Sequence, residues 1–349
     1  MNNIYYHYGA TKLHLGDALD VMGSLPKASV DCVVTSPPHW GLRDYGTAKW
    51  IGGNLDCHHT LGTTPHQRRT AYMRHSEKEI LRRCRKCQAI AHDQQYGLEP
   101  TLDAYITRIR HVCHEIKRLL TPQGTCWINL RDSYSYHRNG TGRAIPASDD
   151  KTALNLQHKS LMGIPWRVAL ELQNDGWIIR NAIVWHKPNA APDPARDRFS
   201  NRYEMLFLLT KQPQCHLDSS RVLDPLSQSR PHYRKNHYGG KKLHTVKTPW
   251  SPDSKGKNPG DVWSMSTRPL AEAHCAPFPV DLPYRCIASG CPSNGLVLDP
   301  FSGAGTTGLA AHRLGRRYQG IDLRADYHDI ALRRLHEDQP PDSDLPALA

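Results

Sequence analysis

Ser36 stands in Thr35-Ser36-Pro37-Pro38-His39-Trp40, a stretch that brings a hydroxyl, backbone carbonyls and two ring side chains together. It follows Val30-Asp31-Cys32-Val33-Val34, an apolar β-branched run whose pattern predicts a buried strand. Neither proline can donate to a ladder, so the strand stops there. Ser36 precedes a proline and is held extended. The product is a stiff corner at a strand's carboxyl end, the edge where open α/β sheets bind ligands. Taken alone, the hexapeptide reads first as an ordinary turn leaving a core strand.

A second anchor changes its weight. Gly295 to Thr307 runs as Gly-Leu-Val-Leu-Asp-Pro-Phe-Ser-Gly-Ala-Gly-Thr-Thr: a strand, an acidic turn, a Gly-x-Gly loop and a helix start. Tyr318-Gln319-Gly320-Ile321-Asp322 follows as the next strand, with a carboxylate where a ribose diol would sit. The βαβ unit is not the phosphate-binding kind. Asp299 at the turn would repel a pyrophosphate and favour an ammonium. S-adenosylmethionine carries an ammonium and a ribose and no phosphate, and is the expected cofactor.

A third cluster lies between them. Cys57-His58-His59 and Cys84-Arg85-Lys86-Cys87 offer a Cys-x-His pair and a Cys-x-x-Cys knuckle inside a polar stretch too poor in apolar residues to form its own core. Cys57, His59, Cys84 and Cys87 would complete a tetrahedral structural zinc site, with His58 and His66 as competing ligands. Four protein ligands leave no position open for chemistry.

The elements that must position these groups follow from hydrophobic period. Tyr- and His-rich residues 4–10 predict an edge strand. Lys12–Leu15 predicts another, and Ala18–Leu25 a short helix. Leu102, Ile106, Ile109, Val112, Cys113, Ile116, Leu119 and Leu120 form a helical stripe that Pro122-Gln123-Gly124 should end. Strands are expected at 125–130, 177–185 and 203–210, with a helix over 165–174. The pattern predicts an α/β fold, a doubly wound Rossmann-like sheet, mostly parallel with an antiparallel edge strand, plus polar insertions. Residues 1–49 carry the first anchor, and 50–97 form a zinc-knuckle-like insertion. The core continues over 98–210, with a loop at 137–158. A basic, Tyr- and His-bearing segment over 211–260 suits DNA contact. The second anchor lies in 261–338, and 339–349 reads as a disordered tail.

The chain has 349 residues and a net charge of +12. A basic surplus of that size favours a polyanionic partner. Ten scattered cysteines fit a reducing compartment better than a disulfide framework. No apolar run is long enough to span a membrane and no signal-peptide core follows Met1, so a cytoplasmic protein without membrane contact is expected.

With both anchors in place, the chain resembles the amino-group DNA methyltransferases of permuted motif order, in which the Ser-Pro-Pro motif precedes the Phe-x-Gly-x-Gly motif. Gly41–Tyr45, Gly163–Arg167, Trp185–Asn189, Asp261–Trp263 and Phe278-Pro279 add to the likeness. It is similar above all to phage and prophage site-specific methylases. The resemblance implies a catalytic set of Ser36, Pro37, Pro38 and His39. It implies a cofactor set of Asp17 (toward the adenine), Thr35, Pro277, Phe278, Asp299, Pro300, Phe301, Gly303, Gly305, Thr306 and Asp322. The position of His39 is commonly Tyr or Phe in this family, so Trp40 is a second candidate for stacking on the base. Ser at the first motif position resembles the cytosine-N4 members. Alternatives are adenine-N6 methylation, a catalytically weak DNA-binding protein of the same fold, and an RNA or small-molecule methyltransferase. Double-stranded DNA is the implied partner; a restriction endonuclease and a homodimer stay open.

Overall fold

The computed structural model describes residues 4–54, 56–59, 83–135, 156–157, 159–193, 195–225, 256–268, 270 and 277–338. Among them the strands are β1 (Ile4–Tyr8), β2 (Thr11–Leu15), β3 (Val30–Thr35), β4 (Lys49–Ile51), β5 (Ile90–His92), β6 (Leu120–Leu130), β7 (Ile178–His186), β8 (Tyr203–Thr210), β9 (Val262–Ser264), β10 (Leu296–Asp299) and β11 (Arg317–Asp322). Nine of them form one sheet in the order β1-β2-β11-β10-β3-β6-β8-β7-β9. The five strands from β2 to β6 in that order run parallel. At one end β1 is an antiparallel edge. At the other, β8 is antiparallel to both β6 and β7, so the reversed strand lies inside the sheet, and β9 beside β7 closes that edge.

The described helices cover the two faces: α1 (Ala18–Ser24), α2 (Leu102–Leu119), α3 (Ile164–Asn174), α4 (Asp281–Gly290), α5 (Thr306–Arg313) and α6 (Ala325–Glu337). The period of two along each strand sorts the core into two layers. Val33, Ile128, Phe207, Leu298 and Ile321 pack with α1, α2 and α3. Their neighbours Cys32, Val34, Trp127, Leu208 and Val297 pack with α4, α5 and α6. Strands buried on both faces must be apolar throughout, which is why β3, β8 and β10 read as continuous runs.

Helix α2 stops at Leu119, and β6 begins at Leu120. Pro122-Gln123-Gly124 sits beyond the helix, where the β3–β6 register jumps from Val30↔Leu120 to Cys32↔Thr125. A small second sheet pairs β4 with β5. Two excursions are pinched at their bases. Tyr134 bridges Leu161, and Asp224 bridges Lys257. The loop expected at 137–158, the centre of the 211–260 segment and the 339–349 tail fall wholly or mostly outside the described residues.

Candidate active site and metal centre

Strands β3 and β10 are hydrogen-bonded neighbours, with Val297 opposite Cys32 and Leu298 opposite Val33. The two anchors, far apart in sequence, therefore leave the sheet side by side. Asp299 joins them. Its carboxylate, 2% exposed, accepts from the Thr35 hydroxyl at 2.6 Å, the Thr307 hydroxyl at 2.7 Å and the Phe301 amide at 3.0 Å. Burial outweighs these donors and raises its pKa to about 6.

Ahead of both anchors lies a cavity of about 600 Å³, a size suited to a small-molecule cofactor and one base. Ser36, Pro37, Pro38, His39, Pro277, Phe278, Asp299, Pro300, Phe301, Gly303, Thr306 and Asp322 all line it. Three expected residues do not. Thr35 is buried beneath it on Asp299. Asp17 caps α1, accepting from the Leu19 and Asp20 amides, and faces Arg108 at 3.7 Å; its neighbours Gly16 and Ala18 reach the cavity instead. Gly305 starts α5 with φ +70°, and a Cβ there would stand 2.5 Å from the Ala331 Cβ. Only glycine fits that conformation and that approach of α6.

Asp322 lines the cavity beside the Gly-x-Gly loop. It accepts from the Gly303 amide at 2.8 Å and the Arg324 amide at 2.9 Å, which fixes the Gly-x-Gly loop to the end of β11. Burial, helped by the charge of Asp299, raises its pKa to about 6 against those two donors. Phe301 packs edge-on against Tyr96 with ring centres 4.9 Å apart, and the Arg108 guanidinium lies over the Tyr96 ring at 3.8 Å.

The Ser-Pro-Pro corner has partners that sequence did not reveal. The Ser36 hydroxyl donates to Asn129 Oδ1 at 3.1 Å, and Asn129 Nδ2 donates to the Met205 carbonyl at 3.2 Å. The amide is thus oriented from the next strand, and Ser36 itself lines the cavity. Lys187 and the buried Glu204 form an ion pair on the same wall. Burial lowers the His39 pKa despite the pull of Glu204, and the cations Arg131, Lys187 and Arg43 add to the lowering. The surroundings of His39 thus favour its neutral ring, and its Nδ1 is enclosed and unpartnered among the described residues. Trp40 turns away and donates to the Glu99 carbonyl at 3.0 Å. Asn129 and Glu204 sit at strand ends inside apolar runs, where only their polarity in a core strand hinted at a task.

The third cluster also assembles. The ligand atoms of Cys57, His59, Cys84 and Cys87 lie within 4.8 Å of one another. Cys57 Sγ and Cys84 Sγ are 3.8 Å apart, and Cys87 Sγ is 3.3 Å from His59 Nδ1. A tetrahedron with Zn–S bonds of about 2.3 Å has edges of roughly 3.8 Å, so the donor set and its spacing fit zinc. Trp50 on β4 stacks on His59 at 4.7 Å, and the Cys84 amide donates to the Ala89 carbonyl at 2.7 Å, closing the knuckle. His58 lies outside the cluster, and His66 lies outside the described residues.

The sheet order and its helical layers have the architecture of a Rossmann-like methyltransferase. A DNA methylase family model, that of the N6/N4 methylases, matches residues 30–333. Type II methyltransferase M.Cfr9I of Citrobacter freundii is 35% identical, over 94% of this chain and 88% of its own length. M.SmaI of Serratia marcescens is 32% identical, over 93% and 90%. In three dimensions the chain is similar to the PvuII DNA methyltransferase, a cytosine-N4-specific enzyme, with TM-score 0.61 and 15% identity over 98% of this chain and 91% of that one. A putative DNA modification methylase from Thermus thermophilus, complexed with S-adenosyl-L-methionine, gives TM-score 0.52 and 22% identity over 94% of each chain. The chain belongs to the N6/N4 DNA methylase family and is an S-adenosylmethionine-dependent DNA methyltransferase acting on an exocyclic amino group.

Proposed function

We propose that the protein methylates the N4 amine of cytosine in duplex DNA, after flipping the target base into the cavity and by direct in-line transfer. The observation that carries this is a Ser36 hydroxyl oriented by Asn129 beside the cofactor loop. An exocyclic amine is a poor nucleophile because its lone pair is delocalised into the ring, and it is out of reach inside a duplex. Ser36 Oγ, its proton committed to Asn129, accepts one amine hydrogen, and the Pro37 carbonyl accepts the other. Both bonds favour a pyramidal nitrogen whose lone pair faces the cofactor side; once methylated, the cationic nitrogen releases one of its two protons to solvent. Catalysis is then positioning and electrostatics, with no covalent enzyme intermediate. The neutral His39 ring takes the place of the usual Tyr or Phe as the stacking surface.

S-adenosylmethionine supplies an electrophilic methyl group. Phe301, Gly303 and Thr306 would cradle its methionine part, Asp322 its ribose hydroxyls, and Pro277 and Phe278 would cover it. Asp299 serves mainly to lock Thr35 and Thr307 into one frame, adding negative potential near the ammonium. Serine rather than Asp or Asn at the motif's first position favours cytosine, and so does the likeness to a cytosine-N4-specific enzyme. The Cys57, His59, Cys84 and Cys87 set would hold a structural zinc. The Type II relatives support a restriction-modification setting, with the 189–260 region contributing to target choice. Tritium transfer from labelled cofactor to duplex DNA tests the proposal. Wild type should label DNA, and Ser36→Ala should lose about a hundredfold or more in rate with cofactor affinity kept; equal rates would sink it.

A further inference from the structure

Phe199 is 97% exposed, and the next most open of the large apolar side chains described is Val262 at 62%. A free phenyl ring in water forfeits the burial that aromatic side chains normally gain. It is not on a loose strand of chain. The connection between β7 and β8 is tied at its base by the Lys187 amide on the Arg202 carbonyl at 2.8 Å. Arg198 pairs with Asp193 at 2.9 Å and lies over the Tyr134 ring at 3.7 Å. Lys159 pairs with Asp197. The loop is built to hold the ring out.

Its loop is joined to the cavity at both ends. Lys187 and Asn189 at the start of the loop and Glu204 just past its end all line the cavity. Phe199 is five residues from Glu204, so it stands within about 18 Å of the cavity wall. The acidic residues of the loop, Asp193 and Asp197, are both paired with cations, while Arg196 and Arg202, before and after Phe199 in the sequence, are exposed. An apolar side chain flanked in sequence by cations, on a loop whose two ends line the cavity, fits stacked bases flanked by phosphates.

We infer that Phe199 is the wedge that enters the duplex at the target position and occupies the place vacated by the flipped base, with Arg196 and Arg202 on the flanking phosphates. The inference rests on the proposed action on a flipped base in duplex DNA. The wedge offsets part of the unstacking cost, so its loss should matter only where that cost has to be met.

The test compares two duplexes carrying the motif found methylated in cells that express the protein. In one the target base is paired; in the other it faces an abasic site. Single-turnover transfer from tritiated cofactor is measured for wild type, Phe199→Ala and Phe199→Trp. Phe199→Ala should be slower by about tenfold or more on the paired duplex and within about twofold of wild type on the abasic one. Phe199→Trp should stay near wild type on both, and the thermal midpoints should be unchanged because the ring packs on nothing. Equal loss on both duplexes, or no loss on the paired one, would overturn the wedge. Wild-type inactivity on the paired duplex would overturn the underlying function as well.

Discussion

Asn129 and Asp322 show how much of the site rests on side chains that orient others. Asn129 holds the Ser36 hydroxyl and is itself held by the Met205 carbonyl. Asn129→Ala should lower the methyl-transfer rate by about tenfold while leaving the cofactor Kd unchanged; a shift in Kd alone would assign it to cofactor binding. Asp322 brings a pH dependence whose sign can be worked out. Its folded pKa, about 6, exceeds the ordinary 3.8. Between those values the folded chain keeps a proton that the unfolded chain has lost. Its contribution to cofactor-free stability therefore declines as pH rises through that window. In the proposed role binding would have the opposite slope, because ribose hydroxyls would donate to the ionised carboxylate. Cofactor affinity measured by calorimetry should tighten as pH rises from about 5 to about 7. Asp322→Asn should bind more weakly at pH 7 and respond less to pH; an unchanged profile would remove the ribose role.

The elements place these residues with little freedom. β3 and β10 pair directly, so the Ser-Pro-Pro corner and the Gly-x-Gly loop emerge at one edge, and Asp299 bolts Thr35 to the start of α5. The β4–β5 pair carries the Cys/His cluster and leads into residues 93–99, which grip the segment that follows the Ser-Pro-Pro corner. Gln95 Oε1 accepts from the Tyr45 amide at 2.6 Å, and the Gly41 amide donates to the Gly97 carbonyl at 2.8 Å. Gly97 allows that approach, since a Cβ there would lie 2.8 Å from the His39 carbonyl oxygen. Metal analysis should find one zinc per chain. Cys84→Ser with Cys87→Ser should release it and increase protease cutting within 50–97 before the rest of the chain unfolds. A native protein without zinc would remove the assignment.

Much of this was legible in the sequence where short-range chemistry decides. β3 with its Ser-Pro-Pro corner, the Gly-x-Gly loop, the helical stripe of α2 and the Cys/His cluster all rest on local spacing. The pairing of β3 with β10 followed only once the motif order was recognised as permuted. α4 and α6 were not foreseen, because Pro283 interrupts one pattern and the charged residues of Arg333-Arg334 blur the other. Nor did local pattern reveal that Asp17 caps a helix. Asn129, Lys187 and Glu204 meet only after β6, β7 and β8 are laid side by side. No periodicity encodes that adjacency.

At the scale of the whole molecule, one sheet edge gathers the Ser-Pro-Pro corner, the cofactor loop, the Lys187–Glu204 pair and the base of the Phe199 loop. Among the described residues no helix is long and apolar enough to cross a membrane. The net charge of +12 suits a surface that meets a phosphate backbone before any base is read. What the edge is built to modify can be read directly from its product. DNA methylated by the purified protein, digested to nucleosides and analysed by mass, should contain N4-methylcytosine, and DNA treated with Ser36→Ala should contain almost none. N6-methyladenine as the sole product would contradict the account.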